Sequence, residues 1–85
     1  MFRRVKEIIP MTNYTLQVQF VDDTKKQYDV KPLFKEIMAF QPLMYIPGLF
    51  EQVKVDTGGF GISWNDSIDL SCDELYENGK DLTIT

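Results

Sequence analysis

The sequence predicts a single α+β domain with a largely antiparallel β-sheet and two or three short helices packed on one face. Strand-like patterns separated by turn residues occur at 14–30 and again at 52–70, and helical spacing is confined to short stretches near 32–38 and 71–79. A chain of 85 residues has room for one hydrophobic core. A parallel α/β fold would need longer crossover connections. We therefore expect residues 1–85 to form one domain.

Three strands are predicted in the first third of the chain. Residues 4–9 are β-prone and end at Pro10, which has no amide hydrogen to donate to a sheet. Residues 14–20 alternate strictly between apolar and polar, a period of two that predicts a strand with one buried face. After a polar turn, residues 27–30 are expected to return as its antiparallel partner.

A helix of about two turns is predicted next, followed by an irregular connector. Pro32 suits a first helical position because its φ angle is fixed. Helical spacing of apolar residues follows, at Leu33, Phe34, Ile37 and Met38. Pro42 ends this helix, and residues 43–50 are expected to form a connector containing at most one further helical turn.

The second half predicts a glycine hairpin, a short strand and a capped helix. Strands are expected at 52–56 and 60–64, joined through Thr57-Gly58-Gly59, and a brief one at 68–70. Ser71 and Glu74 have the spacing of a capping box, in which the hydroxyl and the carboxylate each satisfy a free amide at a helix start. Gly79 is a suitable stop. The tail 82–85 is β-prone but short.

Composition excludes several function classes. The chain has no histidine and one cysteine, so a Ser-His-Asp triad, a Cys-His pair, a His-ligated zinc and an internal disulfide are excluded. Residues 1–42 carry seven basic and five acidic residues, whereas residues 43–85 carry two basic and eight acidic ones. Because the net charge is −4 and no basic run occurs, direct nucleic-acid binding is not expected.

The chain contains no segment that predicts membrane insertion or export. No stretch approaches the roughly 20 apolar residues of a membrane span. The N-terminal residues lack the apolar core of a signal peptide. A lone cysteine fits a reducing compartment. We expect a cytoplasmic protein.

Several short motifs resemble one bacterial family. They are Asp29–Leu33, Val53–Asp56, Ile62–Trp64, Asp69-Leu70 and Leu75-Tyr76. On these residues the chain resembles domain of unknown function 2442, although it lacks the family's usual glycines in the first hairpin turn and after the tryptophan. The resemblance implies an α+β fold and a cytoplasmic bacterial protein with no established activity. Relatives fused to helix-turn-helix segments, or encoded beside small partner proteins, suggest regulatory or antitoxin-like pairing.

An acidic cluster is the candidate metal site. Five carboxylates within twelve residues could ligate Ca²⁺ or Mg²⁺. They are Asp66, Asp69, Asp73, Glu74 and Glu77. Their spacing fails the EF-hand pattern, and acids in a first helical turn are favoured by the helix dipole, so capping and solvation explain most of the cluster.

Three other features are given structural interpretations. Residues 57–61 resemble a phosphate-binding loop, but a strand instead of a helix follows, so a hairpin turn is expected. The aromatic residues could stack on bases, yet alternation predicts that Phe60 and Trp64 belong to the core. Tyr14, Phe20 and Tyr28 complete that aromatic set. Cys72 lies at a helix start, where a thiolate can be stabilised, but it has no neighbouring base and is expected to be buried or idle.

The apolar stretch 40–50 is the candidate partner-binding surface. It holds nine apolar residues in eleven positions, and either lies across the sheet as core or leaves a binding patch exposed. The predicted partner-binding residues are Phe40, Met44, Tyr45, Leu49 and Phe50.

These features predict a non-enzymatic protein-interaction module without a cofactor, plausibly the antitoxin-like or regulatory partner of another small bacterial protein. Homo-oligomerisation is compatible with the same surface. The alternative is a domain that binds a small ligand or a divalent cation through the acids near Asp66.

Overall fold

The seven strands form two antiparallel sheets in the computed structural model, which describes residues 3–82. The first sheet has the order β1-β2-β3-β7, where β1 is Val5–Pro10, β2 is Thr15–Phe20, β3 is Lys25–Asp29 and β7 is Lys80–Asp81. The second has the order β4-β5-β6, with β4 at Lys54–Val55, β5 at Gly61–Asn65 and β6 at Ile68–Ser71. The α+β class and the antiparallel pairing are confirmed, and the strands are divided between two sheets.

Three short helices accompany the sheets. They are α1 at Leu33–Glu36, α2 at Pro42–Tyr45 and α3 at Cys72–Asn78. Single 3₁₀ turns lie at Thr12–Tyr14, Met38–Phe40, Phe50–Gln52 and Thr57–Gly59. No helix within residues 3–82 is long and apolar enough to cross a bilayer.

Strand β2 has the two faces that its alternation predicts. Leu16, Val18 and Phe20 are almost wholly buried, while the polar residues between them lie on the opposite face and are half-buried. Its neighbour β3 places Tyr28 opposite Leu16, so the same inner face continues across the sheet. The first sheet thus contributes one side of the core.

The second sheet and α3 complete that core. Ile62, Ile68 and Leu75 are at most 2% exposed. The Trp64 indole is buried too, and its Nε1–H donates to the carbonyl oxygen of Phe50 at 2.9 Å. Within residues 3–82, every buried side-chain nitrogen or oxygen has a hydrogen-bond partner.

The helix after Pro32 is shorter than the predicted two turns, so its predicted length is wrong. Leu33 and Phe34 are buried as expected, but the helix ends at Glu36 because Ile37 has an extended backbone (φ −134°, ψ 107°). Ile37 and Met38 are therefore exposed, at 43% and 78%, instead of extending a buried helical face. A helix that continued through Met38 would carry the chain past the turn that brings Phe40 into the core.

The glycine hairpin between β4 and β5 is confirmed. Gly58 and Gly59 have φ angles of +84° and +78°, which side-chain-bearing residues rarely adopt. A Cβ atom on Gly59 would lie 2.7 Å from the carbonyl oxygen of Val5, so this turn also packs directly against β1. Glycine is required here by both conformation and close contact.

The β-prone tail 82–85 lies mostly outside the described residues. Of 82–85 only Leu82 is described, and its N–H donates to the carbonyl oxygen of Lys25 at 2.9 Å. Just before it, β7 pairs with β3, with Lys80 opposite Gln27. The first sheet therefore has a short edge strand at Lys80–Asp81.

Candidate functional site

A groove with exposed apolar side chains on its rim lies between the loop that follows β1 and the connector that follows α1, residues 37–50. Its volume is about 360 Å³. We call it the connector groove. Its main lining residues are Met11, Thr12, Asn13, Leu43, Met44, Ile46, Pro47, Phe50 and Glu51. Buried side chains form its floor, and exposed apolar side chains form its rim. Exposed apolar side chains around a concave surface are typical of a binding surface.

The loop wall of the groove is held in an unusual conformation. Asn13 and Tyr14 both have positive φ angles, 61° and 56°. The Lys31 ammonium donates to the carbonyl oxygen of Asn13 at 2.7 Å and pairs with Asp29 at 2.9 Å. A left-handed conformation in residues other than glycine persists where surrounding contacts enforce it. The loop is therefore a fixed wall.

The Asp29 carboxylate is suited to holding Lys31 in place. Burial acts to raise the pKa of Asp29, but the hydrogen bonds and the charge of Lys31 together outweigh it and hold that pKa below its ordinary value. Asp29 is consequently ionised at neutral pH and keeps Lys31 oriented toward the loop.

Aromatic contacts join the two walls. The Tyr14 ring packs edge-on against Phe34 and Phe50, with centroids 5.3 Å apart in each pair. Phe50 also stacks on Trp64, which contacts Phe40 in turn. Because these rings anchor both sides, the groove is formed before any ligand arrives.

The connector contains both buried side chains that anchor it and exposed ones. Leu43 is 2% exposed and packs into the core, whereas Met44, Tyr45 and Ile46 are 39%, 68% and 52% exposed. The chain leaves α2 at Ile46 with an extended backbone, and Gly48 turns it with a φ of +82°. This one-turn helix and tight turn are what leave the three neighbouring side chains outside.

The structure divides the predicted partner-binding residues into two groups. Met44 and Tyr45 are exposed. Phe40, Leu49 and Phe50 are at most 9% exposed, so they are core residues beneath the exposed ones, and a role for them in partner binding stays a prediction. Ile46 and Met11 belong to the exposed rim instead. Ile46 is part of the apolar stretch, but no sequence signal brings Met11 to it, because their proximity depends on tertiary packing.

Three of the five acidic residues of the candidate metal site contact other side chains. Arg3 Nη1 lies 3.0 Å from a Glu77 oxygen and 4.0 Å from an Asp73 oxygen. The Tyr28 hydroxyl donates to Glu74 at 2.8 Å. Asp66 lines a different cavity, together with Lys54, and Asp69 is exposed on β6. In the part of the chain that the structure describes, no three potential ligands gather around one point.

Tyr28 and Glu74 form the inner wall of a second cavity, between β3, α1 and α3. This cavity has a volume of about 380 Å³ and is also lined by Asp29 and Glu36. Burial raises the pKa of Tyr28, and the hydrogen bond to Glu74 raises it further. The phenol therefore stays protonated at neutral pH and acts as a structural donor, not as a base.

Cys72 is buried at the start of α3. Burial raises the pKa of its thiol, and the nearby Asp73 carboxylate acts in the same direction. The helix start does not produce a thiolate here, because burial disfavours the charged form. Cys72 contributes to packing.

The aromatic residues are mainly structural, with one correction. Trp64, Phe20 and Tyr28 are buried and Tyr14 is half-buried. Phe60 is 61% exposed, because it precedes β5 and does not continue its alternation, and the Arg4 guanidinium lies 4.9 Å from its ring centroid.

Comparison with known proteins gives one match. The model of the family described as "Protein of unknown function (DUF2442)" matches residues 5–81. No match was found among curated proteins or solved structures. The matched segment contains both walls of the connector groove.

Proposed function

The chain belongs to the DUF2442 family of proteins of unknown function, and we propose that it is a non-enzymatic protein-interaction module, the antitoxin-like or regulatory partner of another small bacterial protein. The observation that carries the proposal is the preformed connector groove with its exposed apolar rim, Met11, Met44 and Ile46. Apolar side chains gathered around a concave surface are costly to leave in water and are stabilised when a partner covers them.

The chemistry of the reactive groups supports a role without catalysis. The pKa of the Cys72 thiol is raised by burial, and the Tyr28 phenol is held protonated against Glu74. Neither group is poised as a nucleophile or a general base at neutral pH. Cytoplasmic location is part of the proposal, and the single cysteine supports it.

Binding of a divalent cation has less support. Arg3 lies beside Asp73 and Glu77, and the Tyr28 hydroxyl donates to Glu74, so these carboxylates already have partners. A cation would have to displace those contacts before it could recruit Asp66 or Asp69. The interaction module is therefore the function that the geometry favours.

Affinity purification from the native host tests the proposal. The tagged chain would be compared with a Met44→Asp/Ile46→Asp double variant and with Val21→Asp. Val21 is 59% exposed and is not part of the groove lining, so its replacement controls for an added surface carboxylate. We expect a stoichiometric partner with the original chain and with Val21→Asp, and its loss with the double variant.

Thermal unfolding of each variant would verify that the domain remains folded. Retention of the partner by the folded double variant would place binding elsewhere on the molecule. Purification of the original chain with no stoichiometric protein would contradict the interaction proposal itself.

A further inference from the structure

The connector groove carries charge at only one position. Residues 37–50 and the loop 11–14 contain no charged residue. Glu51 is the single charged residue that lines the groove, and it is exposed. Within residues 3–82 its carboxylate makes no ion pair or side-chain hydrogen bond. The groove thus combines exposed apolar side chains on its rim, Met11, Met44 and Ile46, with one exposed carboxylate.

Among residues 3–82, no lysine or arginine forms an ion pair with Glu51. Lys31, the lysine that supports the loop wall, is occupied by Asp29 and by the carbonyl oxygen of Asn13. Lys54 lines a separate cavity with Asp56 and Asp66. Glu51 is exposed to water in the free protein and is open to pairing with a cation on a ligand.

We infer that the connector groove binds a partner segment that combines apolar side chains with a lysine or arginine. The apolar side chains cover Met11, Met44 and Ile46, and the basic residue lies next to Glu51. This inference rests on the proposed function and specifies the chemistry of the partner. Charge complementarity of this kind adds more to specificity and association rate than to affinity.

The same charge pattern disfavours two other occupants. In a symmetric dimer built on this groove, each Glu51 would meet only the second copy's groove lining, which contains no basic residue. An anionic membrane surface would be repelled by Glu51 and by the net charge of −4. A partner segment with apolar side chains and one basic residue complements both the apolar rim and the Glu51 carboxylate.

Selection from an unbiased random peptide display library tests the inference. The full chain would be immobilised, and the strongest selected peptide would be synthesised with a fluorophore. Its affinity would be measured by anisotropy for the original chain and for Glu51→Gln, Glu51→Lys and Met44→Asp. Asp69→Lys, an exposed acid on β6 outside the groove lining, is the matched charge-reversal control.

We expect the selected peptides to be enriched in Lys or Arg beside apolar residues. Affinity should fall about threefold with Glu51→Gln and about tenfold with Glu51→Lys, in the range of exposed charge pairs and their reversal. Met44→Asp should weaken binding by at least about tenfold, because it places a carboxylate against the apolar contact. Asp69→Lys should change affinity less than about twofold.

The other outcomes contradict either the basic residue of the partner segment or the groove as its binding site. Selected peptides without basic residues, or equal effects of Glu51→Lys and Asp69→Lys, would overturn the inference and leave the groove intact as a binding site. Peptides whose affinity is unchanged by Met44→Asp would contradict both the inference and the groove. A selection that enriches no peptide, while a control domain in parallel does, would also overturn the inference.

Discussion

The first β-sheet and the connector between residues 37 and 50 bury their apolar side chains in different ways. In β2 the strand backbone determines which side chains are buried, because alternate residues point to opposite faces of the sheet. Leu16, Val18 and Phe20 share the inner face. In the connector, single helical turns and extended residues follow one another, so no period relates Leu43, which is buried, to Met44, which is exposed. Regular backbone hides apolar residues efficiently, and irregular backbone leaves some of them available for binding.

The largest expected effect tests this difference within the connector. Phe50→Ala should cost about 3–5 kcal/mol, because Phe50 packs on Tyr14 and Trp64 and its loss leaves a cavity. Tyr45→Ala, five residues earlier and 68% exposed, should change the free energy of unfolding by less than about 0.5 kcal/mol. Urea unfolding followed by Trp64 fluorescence measures both.

The domain as a whole is expected to have a stability of roughly 4–13 kcal/mol at the usual scale per residue. Phe50→Ala therefore removes a large part of it, and the variant could be unfolded at 37 °C. Equal losses in the two variants would show that the connector is not divided into anchoring and exposed positions.

The second effect compares the connector turn at Gly48 with the hairpin turn at Gly59, which joins β4 and β5 and packs against β1. Gly48 and Gly59 both have positive φ angles, so alanine at either position should cost about 1–2 kcal/mol. A Cβ atom on Gly48 would meet nothing within 4 Å, whereas one on Gly59 would lie 2.7 Å from the carbonyl oxygen of Val5. Gly59→Ala should therefore cost about 1–3 kcal/mol more than Gly48→Ala, the usual range for overpacking.

The two melting temperatures, measured under the same conditions, decide this comparison. A greater loss with Gly48→Ala would mean that the connector turn is packed more tightly than the hairpin, which is the reverse of the arrangement described above.

These contrasts explain which parts of the fold could be predicted from the sequence. Strand β2 could be predicted, because the period of two in residues 14–20 directly encodes a buried face. The glycine hairpin could also be predicted, because glycine readily adopts the positive φ angles found at Gly58 and Gly59. Both are local properties of a few neighbouring residues.

The groove could not be predicted in the same way. Whether Phe40 or Met44 is buried depends on where the connector meets Trp64 and the loop at Asn13, which are distant in sequence. Composition correctly indicated an unusually apolar stretch but did not distinguish its inner residues from its outer ones. Met11 had no local signal at all.

A third effect measures an interaction that sequence did predict. The Ser71 hydroxyl accepts a hydrogen bond from the backbone amide of Glu74 at 3.1 Å and caps α3. Ser71→Ala should cost about 1 kcal/mol, the usual value for an N-cap. Ser67→Ala, an exposed serine in the turn before β6, should cost less than about 0.5 kcal/mol. Equal costs, measured by urea unfolding, would mean that the cap contributes nothing specific.

The smallest effect at neutral pH concerns a contact that sequence did not predict. The capping-box pattern assigns the Glu74 carboxylate to a backbone amide at the start of α3, but in the structure it accepts a hydrogen bond from Tyr28 and joins α3 to β3. Tyr28→Phe removes that bond and should cost about 0.5–1 kcal/mol near pH 7, because the half-buried carboxylate can be hydrated in its place.

The pH dependence of this cost tests whether folding raises the pKa of Tyr28. Burial and Glu74 raise the pKa of Tyr28 above the ordinary value of 10. Above pH 10 the unfolded chain therefore releases the Tyr28 proton while the folded chain retains it, and stability falls as the pH rises. Tyr28→Phe has no such proton. The advantage of the original chain over Tyr28→Phe, measured by urea unfolding at pH 7, 9, 10 and 11, should thus shrink above pH 10. A difference that stays constant through pH 11 would mean that folding does not raise the pKa of Tyr28, either through burial or through Glu74.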